Sequence, residues 1–294
     1  MRVLIFGADG FIGRHVVEEL SNISDLYTTT RRIENVDQRV LYVDLSNDQS
    51  VGEAIRVSNP DVIINCAGVI GNNADFQDNV LFTKHILEQA SHLERKPRII
   101  LSGSASSYGF LRSLNELPVS EDTPLRAEIG YGLSKKQEEE LAVSYADTAV
   151  DVVVLRIFNP IGVGMAEKLL LPNIVKQLRE SDIIEVSRLD AKRDYIDVRD
   201  VAKAFAAAAR KKAPHNVYNV GSGRSVSTRE IIAKLVEAAG VTKPSQLVET
   251  QEQPERLVAS QADIRRIKNE LEWEPEITIE ETLRDILNHE SPKV

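Results

Sequence analysis

At 294 residues the chain has room for one large domain or two lobes sharing a core, and its 42% hydrophobic and 28% charged content is ordinary for a soluble globular protein. The net charge of −9 excludes a nucleic-acid polymer as the expected partner, since displacing counterions from phosphates takes a basic face, though a local basic pocket can still hold a small anion. The one cysteine, Cys66, excludes an internal disulfide, and no apolar run approaches the roughly 20 residues of a membrane helix.

Residues 3–6 form a short apolar run so near the first residue that no cleavable leader is expected, and the cytoplasm is the expected address. This predicted strand ends in Gly7-Ala8-Asp9-Gly10-Phe11-Ile12-Gly13, after which Ile12, Val16, Val17 and Leu20 recur at helical spacing. A glycine-rich turn between strand and helix lets the backbone approach a pyrophosphate, and the helix start offers unpaired N–H groups and a positive dipole end. The spacing is G-x-x-G-x-x-G, which alone fits any tight turn. Its place in a βαβ unit favours a dinucleotide held by Gly7, Gly10, Phe11, Ile12 and Gly13.

Residues 26–30 are rich in β-favouring types and run out at Thr29-Thr30-Arg31-Arg32. Recognition of NAD would place an acidic residue here, about 20 positions past the glycines. Guanidinium groups suit a 2′-phosphate instead, so NADPH (or NADP+) is expected on Arg31 and Arg32. NAD(H) stays open, because Glu34 is close and paired arginines also occur in solvated turns. Residues 40–43 predict a third strand, and Asp44-Leu45 after it suits adenine: a carboxylate for the exocyclic amine, an apolar face for the ring. Residues 51–57 predict a helix, Asn59-Pro60 a stop, and 61–65 a buried strand. The strand ends in Asn65-Cys66-Ala67-Gly68, small residues that permit a cofactor's close approach. Cys66 fits a core position better than a nucleophile, since no histidine is placed to activate it.

Residues 79–91 predict a helix and 98–102 a fifth strand. That strand leads into Leu101-Ser102-Gly103-Ser104-Ala105-Ser106-Ser107-Tyr108-Gly109, where ligand-facing residues gather in doubly wound sheets; elsewhere the segment would be an ordinary polar loop. Residues 131–145 predict a helix rich in glutamate and lysine, opened by Tyr131-Gly132-Leu133-Ser134-Lys135. The i, i+4 spacing puts Tyr131 and Lys135 on one face. A free phenol ionises near about 10, and an ammonium beside it favours the phenolate and brings acid–base work toward neutral pH. Such a pair alone is more often structural; a serine hydroxyl from the preceding loop would give it a reacting oxygen to share.

Residues 150–157 are an almost continuous apolar run, as expected of a central parallel strand covered on both faces. Strands alternating with helices up to this point indicate an α/β protein with a Rossmann-type doubly wound parallel sheet. Past Asn159-Pro160-Ile161-Gly162 the alternation loosens into helices at 171–180, 198–210, 228–239 and 280–287, expected as a smaller C-terminal substrate-binding lobe. The expected division is 1–158, with 194–220 returning, for the dinucleotide domain, and 159–193 with 221–294 for the lobe. His15, His85, His92, His215 and His289 do not pair with Cys or one another at ligand spacing, so no metal site is expected.

In chain order, GADGFIG, NCAG, SGSASSYG, YGLSK, LRIFNPIG, RDYIDVRDVA, YNVGSG and ADIRRIKNELEWEP resemble the extended short-chain dehydrogenase/reductase family over essentially the whole chain. Its members are nicotinamide-dependent epimerases, dehydratases and reductases of sugar nucleotides. The resemblance implies Tyr131 as the acid–base residue, Lys135 as its pKa-lowering partner and ribose ligand, and Ser104, four before Tyr108, as the hydroxyl partner. It also implies Ser102 and Phe158 beside the cofactor, and Ala105, Asn159, Leu171, Arg193 and Arg256 toward a nucleotide-diphosphate sugar, in a homodimer. Two segments depart from the pattern. Gln253-Pro254-Glu255-Arg256 stands for an Arg-Pro-x-Asp signature, leaving Arg256 to meet the diphosphate from a shifted position. Leu271-Glu272-Trp273 stands for Leu-Gly-Trp and leaves Trp273 as an apolar anchor.

Ala105 and Ser106 occupy the place where a dehydratase would carry an acidic pair. Residues 186–200 and PLRAEIGYGLSK look closest to reductases of GDP-4-keto-6-deoxymannose. The expected activity is NADPH-dependent reduction of the 4-keto group of an NDP-4-keto-6-deoxyhexose. An NAD-dependent nucleotide-sugar 4-epimerase is the alternative, and a non-catalytic NAD(P)-sensing or scaffolding protein the second.

Overall fold

The computed structural model describes residues 1–22, 25–70, 75–146, 150–240, 246–250 and 258–289. The first half alternates strands with helices except between β2 and β3: β1 (Arg2–Phe6), α1 (Phe11–Leu20), β2 (Asp25–Thr30), β3 (Val40–Tyr42), α2 (Asp48–Ser58), β4 (Val62–Asn65), α3 (Gln77–Ser91), β5 (Arg98–Ser104), α4 (Gly130–Ala146) and β6 (Val152–Ile157). There follow β7 (Asn159–Ile161), α5 (Leu170–Glu180), β8 (Ile183–Val186), β9 (Lys192–Arg193), β10 (Tyr195–Asp197), α6 (Val198–Arg210), β11 (Val217–Val220), β12 (Val226–Ser227), α7 (Thr228–Ala239), β13 (Gln246–Glu249), α8 (Arg265–Leu271) and α9 (Ile279–His289).

Among the described residues, seven strands make one parallel sheet in the order β3-β2-β1-β4-β5-β6-β11, a Rossmann-type arrangement in which the order reverses at β1. The sheet is apolar on both faces because both are covered. Val3 and Ile5 of β1 join Val16 and Leu20 of α1 and Phe205 of α6, whereas Leu4 and Phe6 join Val51 and Ile55 of α2 and Ile86 and Leu87 of α3. Alternate residues of one strand therefore serve two cores. The chain leaves the sheet after β6 and comes back as β11, Val217 pairing with Val154 in parallel register.

Of the boundaries that differ from the sequence expectation, two have a clear local reason. α2 starts at Asp48 because the Asn47 side chain caps it, accepting from Gln49 and Ser50 N–H at 3.0 and 3.2 Å. β5 continues two residues past 102, since Gly103 and Ser104 still pair with Arg156 and Ile157. That extension delivers Ser104 to the C-terminal end of the sheet.

A third apolar cluster lies outside the sheet and joins Leu171, Ile174 and Val175 of α5, Ile184 and Val186 of β8, Ile231 and Leu235 of α7, and Leu283 and Ile286 of α9. Three buried carboxylates at three-residue intervals hold the C-terminal segments in place. Asp194 accepts from the N–H groups of Ser222, Gly223 and Ala262. Asp197 caps α6 and accepts from Thr282 Oγ1 at 2.7 Å. Asp200 accepts from the N–H groups of Glu276 and Ile277. Trp273, an anchor by sequence, is buried and donates its indole N–H to Asp200 O at 3.0 Å. No helix among the described residues is long and apolar enough to cross a membrane.

Candidate active site

The turn after β1 is built around backbone proximity. Gly7 stands at φ +75°, and a Cβ there would lie 2.5 Å from Ala67 N; a Cβ on Gly13 would lie 2.0 Å from Gly7 O. Gly10 N–H donates to Gly7 O at 3.0 Å, and no side chain caps α1. The first-turn amides at Phe11, Ile12 and Gly13 therefore lack an intrahelical acceptor and remain for an anion. This cradle, which any side chain would fill, fits a pyrophosphate. Sequence reasoning passed over Arg14, which ties the start of α1 to the loop after β7. Its Nη2 donates to Val163 O at 3.0 Å and Gly164 O at 2.8 Å.

At the end of β2, Thr29 and Thr30 are buried while Arg31 and Arg32 are exposed. Thr30 Oγ1 donates to Asp9 Oδ2 at 3.0 Å and accepts from Arg32 N–H at 3.1 Å, so the Asp9 carboxylate of the glycine turn reaches the same corner. The sequence signal for Asp9 was an acidic residue inside that turn. After β3, Asp44 Oδ1 accepts from Ser46 Oγ and N–H at 2.7 and 3.0 Å. These bonds, with a smaller contribution from the Arg31 charge, hold its carboxyl below the usual range. Leu45 is half-buried, and its carbonyl lies 2.9 Å from His85 Nδ1. The structure thus gathers Asp9, Arg31, Arg32, Asp44 and Leu45 at one end of the sheet.

The start of α4 packs directly on the turn at 105–108: a Cβ on Gly132 would lie 2.7 Å from Ser106 O. Tyr131 is half-buried with the Phe76 ring edge-on at 5.9 Å. Lys135 Nζ sits 5.8 Å from the centre of the Tyr131 ring and donates to Ser102 O at 3.1 Å. Ser104 is buried, and its Oγ accepts from Ser106 N–H at 3.1 Å, which leaves the hydroxyl proton to donate elsewhere. Burial pushes the Cys66 thiol up to about 12, so it stays protonated beside Lys135 and is no nucleophile. A Cβ on Gly68 would lie 3.1 Å from Asn79 Oδ1 and 3.7 Å from Lys135 Nζ, so the loop after β4 closes over the lysine.

The glutamate-rich pattern of α4 suggests a solvated helix, yet Glu138 and Glu139 are each 5% exposed. Glu138 Oε1 lies 3.0 Å from Lys135 Nζ. Glu139 grips Arg156 with Oε2 on Nε at 2.8 Å and Oε1 on Nη2 at 2.5 Å. Burial works against the Lys135 ammonium, but the Glu138 carboxylate, with lesser help from Tyr131, outweighs it and holds the lysine above its ordinary value. The available sequence signal was the i, i+3 spacing from Lys135 to Glu138.

Other sequence-predicted positions are placed as follows. Ala105 is half-buried in the turn after Ser104. Phe158 is 1% exposed and packs on Tyr108 with ring centres 6.2 Å apart. Asn159 spends its Nδ2 on Asp194 O at 2.9 Å, and Arg193 is half-buried in β9, opposite Val226. Leu171 is 0% exposed, inside the third apolar cluster. Arg256, with the rest of 251–257, lies outside the described residues. No group of three or more metal-ligating side chains is present among the described residues.

The chain is similar to known proteins in sequence and fold. A profile of the NAD dependent epimerase/dehydratase family matches residues 3–221. A UDP-glucose 4-epimerase of Cyamopsis tetragonoloba is 28% identical over 334 aligned residues, covering 96% of this chain and 92% of its own. The GDP-6-deoxy-D-mannose reductase of Pseudomonas aeruginosa is 28% identical over 306, covering 98% and 96%. The solved structure of RMD from Pseudomonas aeruginosa complexed with NADPH superimposes with a TM-score of 0.84 at 25% identity, covering 98% of both chains.

Proposed function

The chain belongs to the NAD dependent epimerase/dehydratase family, and from that premise we propose that it reduces the 4-keto group of an NDP-4-keto-6-deoxyhexose with NADPH. The observation that carries this reading is the exposed Arg31-Arg32 pair where β2 ends on Thr30, a place suited to a 2′-phosphate and hence to an exchangeable reductant. Ala105 and Ser106, with no carboxylate beside Ser104, weigh against dehydration.

The proposed holders of the cofactor are the glycine turn with Phe11 and Ile12 for the pyrophosphate, Arg31 and Arg32 for the 2′-phosphate, Asp44 and Leu45 for adenine, the backbone of Cys66, Ala67 and Gly68, and Ser102, Tyr131 and Lys135 at the nicotinamide end. Phe158 is proposed beside the cofactor as well. When bound, the cofactor supplies a hydride to carbon 4 of the sugar.

The protein's part is proton handling. Tyr131 gives its phenolic proton to the ketone oxygen as negative charge develops there. Ser104 hydrogen-bonds the same oxygen with the proton that its bond to Ser106 leaves free. Lys135 stabilises the phenolate left behind. Orientation of the two reactants and stabilisation of that oxyanion supply most of the acceleration. Asn159, Arg193 and Arg256 are proposed toward the diphosphate and Ala105 toward the sugar, with 159–193 and 221–294 as the substrate lobe and Leu171 packed within it. The proposed setting is a cytoplasmic homodimer joined through α3 and α4, where Leu81 and Val143 are exposed.

Asp9 favours the second reading, an NAD-retaining 4-epimerase, because its carboxylate stands at the corner where ribose hydroxyls would be bound. The test is NADPH consumption with GDP-, dTDP- and UDP-linked 4-keto-6-deoxy sugars, with the product identified by NMR. Stoichiometric consumption and a new 4-hydroxyl are expected. Interconversion of nucleotide sugars without added reductant would establish the epimerase; tight cofactor binding with no turnover would leave a sensor.

A further inference from the structure

Lys135 does more than face Tyr131: it is half of a buried ion pair that the proposed reaction does not by itself require. Glu138 and Lys135 side chains are 6% and 5% exposed, with Nζ 3.0 Å from Oε1 and 3.3 Å from Oε2. The polarity of the surrounding hydrogen bonds identifies the charged partner. Asn65 Oδ1 accepts from Ala67 N–H at 3.0 Å, which turns its Nδ2 toward Thr83 Oγ1, at the long distance of 3.5 Å. Thr83, receiving that N–H, donates its own proton to Glu138 Oε2 at 2.9 Å. Donors thus converge on Glu138 from α3 and from Lys135, as they would on a carboxylate. Burial raises the Glu138 carboxyl, and the lysine charge and the Thr83 hydroxyl hold that rise back.

We infer that Glu138 is a positioning residue for the Tyr131–Lys135 pair: its carboxylate keeps the ammonium charged and fixed against Ser102 O, and it sets the pH at which the pair gives up its first proton. This rests on the reading of Tyr131 as the proton donor. Among the described residues, the ionisable groups facing Lys135 are Glu138 and Tyr131 of its own helix and Cys66 after β4; the one facing Glu138 is Lys135. Cys66 is neutral here, so Glu138 is the compensating negative charge.

The sign is fixed whichever member of the pair titrates. Replacing the carboxylate by an amide removes a negative charge, which favours loss of a proton from Tyr131 or Lys135. A reduction that consumes the Tyr131 proton then fails at lower pH.

The test is Glu138→Gln, read in two ways: the pH profile of NADPH-dependent turnover, and the titration of Lys135 by NMR with lysine ¹³C-labelled at Cε, assigned through Lys135→Met. The alkaline limb and the lysine midpoint should both move down by about one to three pH units, the range for a close opposite charge. A folded variant with both unmoved would overturn the inference. Should that variant fail to fold, Glu138→Asp keeps the negative charge but draws it back from Nζ; a smaller shift in the same direction is expected, and none would overturn the inference equally. The two readouts separate the ideas. A lysine that shifts in a protein without reductase turnover sinks the reductase, whereas turnover with an unshifted lysine sinks the role of Glu138.

Discussion

A phenol becomes a useful acid only in company, and the company we propose for Tyr131 is Lys135, one helical turn on, with Ser104 at the start of the 105–108 turn that α4 packs on. Tyr131→Phe removes one hydroxyl and nothing that packs. Turnover should fall by about 10²–10⁴-fold, the usual size of a positioned proton donor's contribution. NADPH affinity, measured by quenching of fluorescence, should stay close to that of the parent protein; a fully active variant would contradict the assignment. At the other end of the site Arg31 and Arg32 are exposed and compete with Asp9 for the character of one corner. Changing both arginines to alanine should weaken NADPH by roughly tenfold or more, since each hydrogen bond to a charged group contributes about 1.5–3 kcal/mol. NADH affinity should scarcely change, and an unaltered ratio of the two would show that the arginines are solvent-facing only.

One element, α4, carries most of what positions the chemistry, and it is anchored by charge rather than by an apolar stripe. Glu139 clasps Arg156 of β6, which also donates to Tyr108 Oη and Glu121 O, both at 2.8 Å. Arg156→Met should cost about 3–5 kcal/mol in urea unfolding, because it strands the buried Glu139 carboxylate. Adding Glu139→Gln should recover part of that loss; a loss in the double variant equal to the sum of the two single losses would mean that the pair is uncoupled. None of this was legible in α4 itself. A run of Glu and Lys has the composition of a solvated face, and the residue that makes Glu139 a core residue lies 17 positions later, on a strand. The i, i+4 relation of Tyr131 to Lys135 was legible because the helix alone creates it. Asp9 on Thr30 and Glu138 on Thr83 escaped notice because each joins segments that meet only in the folded sheet.

Across the whole molecule, the doubly wound sheet followed from strands and helices alternating at their own periods, and the structure keeps that order from β1 to β6. The C-terminal half was less legible, because its strands are short and its segments are held by Asp194, Asp197 and Asp200. Leu171 is an instance: as an apolar residue near the expected substrate it was a candidate contact, but it serves the inner face of α5. Ser104 stands at the C-terminal end of the sheet because β5 runs two residues past the expected end at 102. The proposed site would join a phosphate cradle, an arginine corner and a proton-donating set along one end of the sheet, and our central claim is that these act together to reduce a ketone. The direct measurement is isotope transfer from NADPH carrying deuterium at the transferable C4 position, incubated with 4-keto-6-deoxy sugar nucleotides. The account predicts one deuterium at carbon 4 of the product for each cofactor oxidised; unlabelled product formed from a nucleotide sugar with no net cofactor oxidation would contradict it.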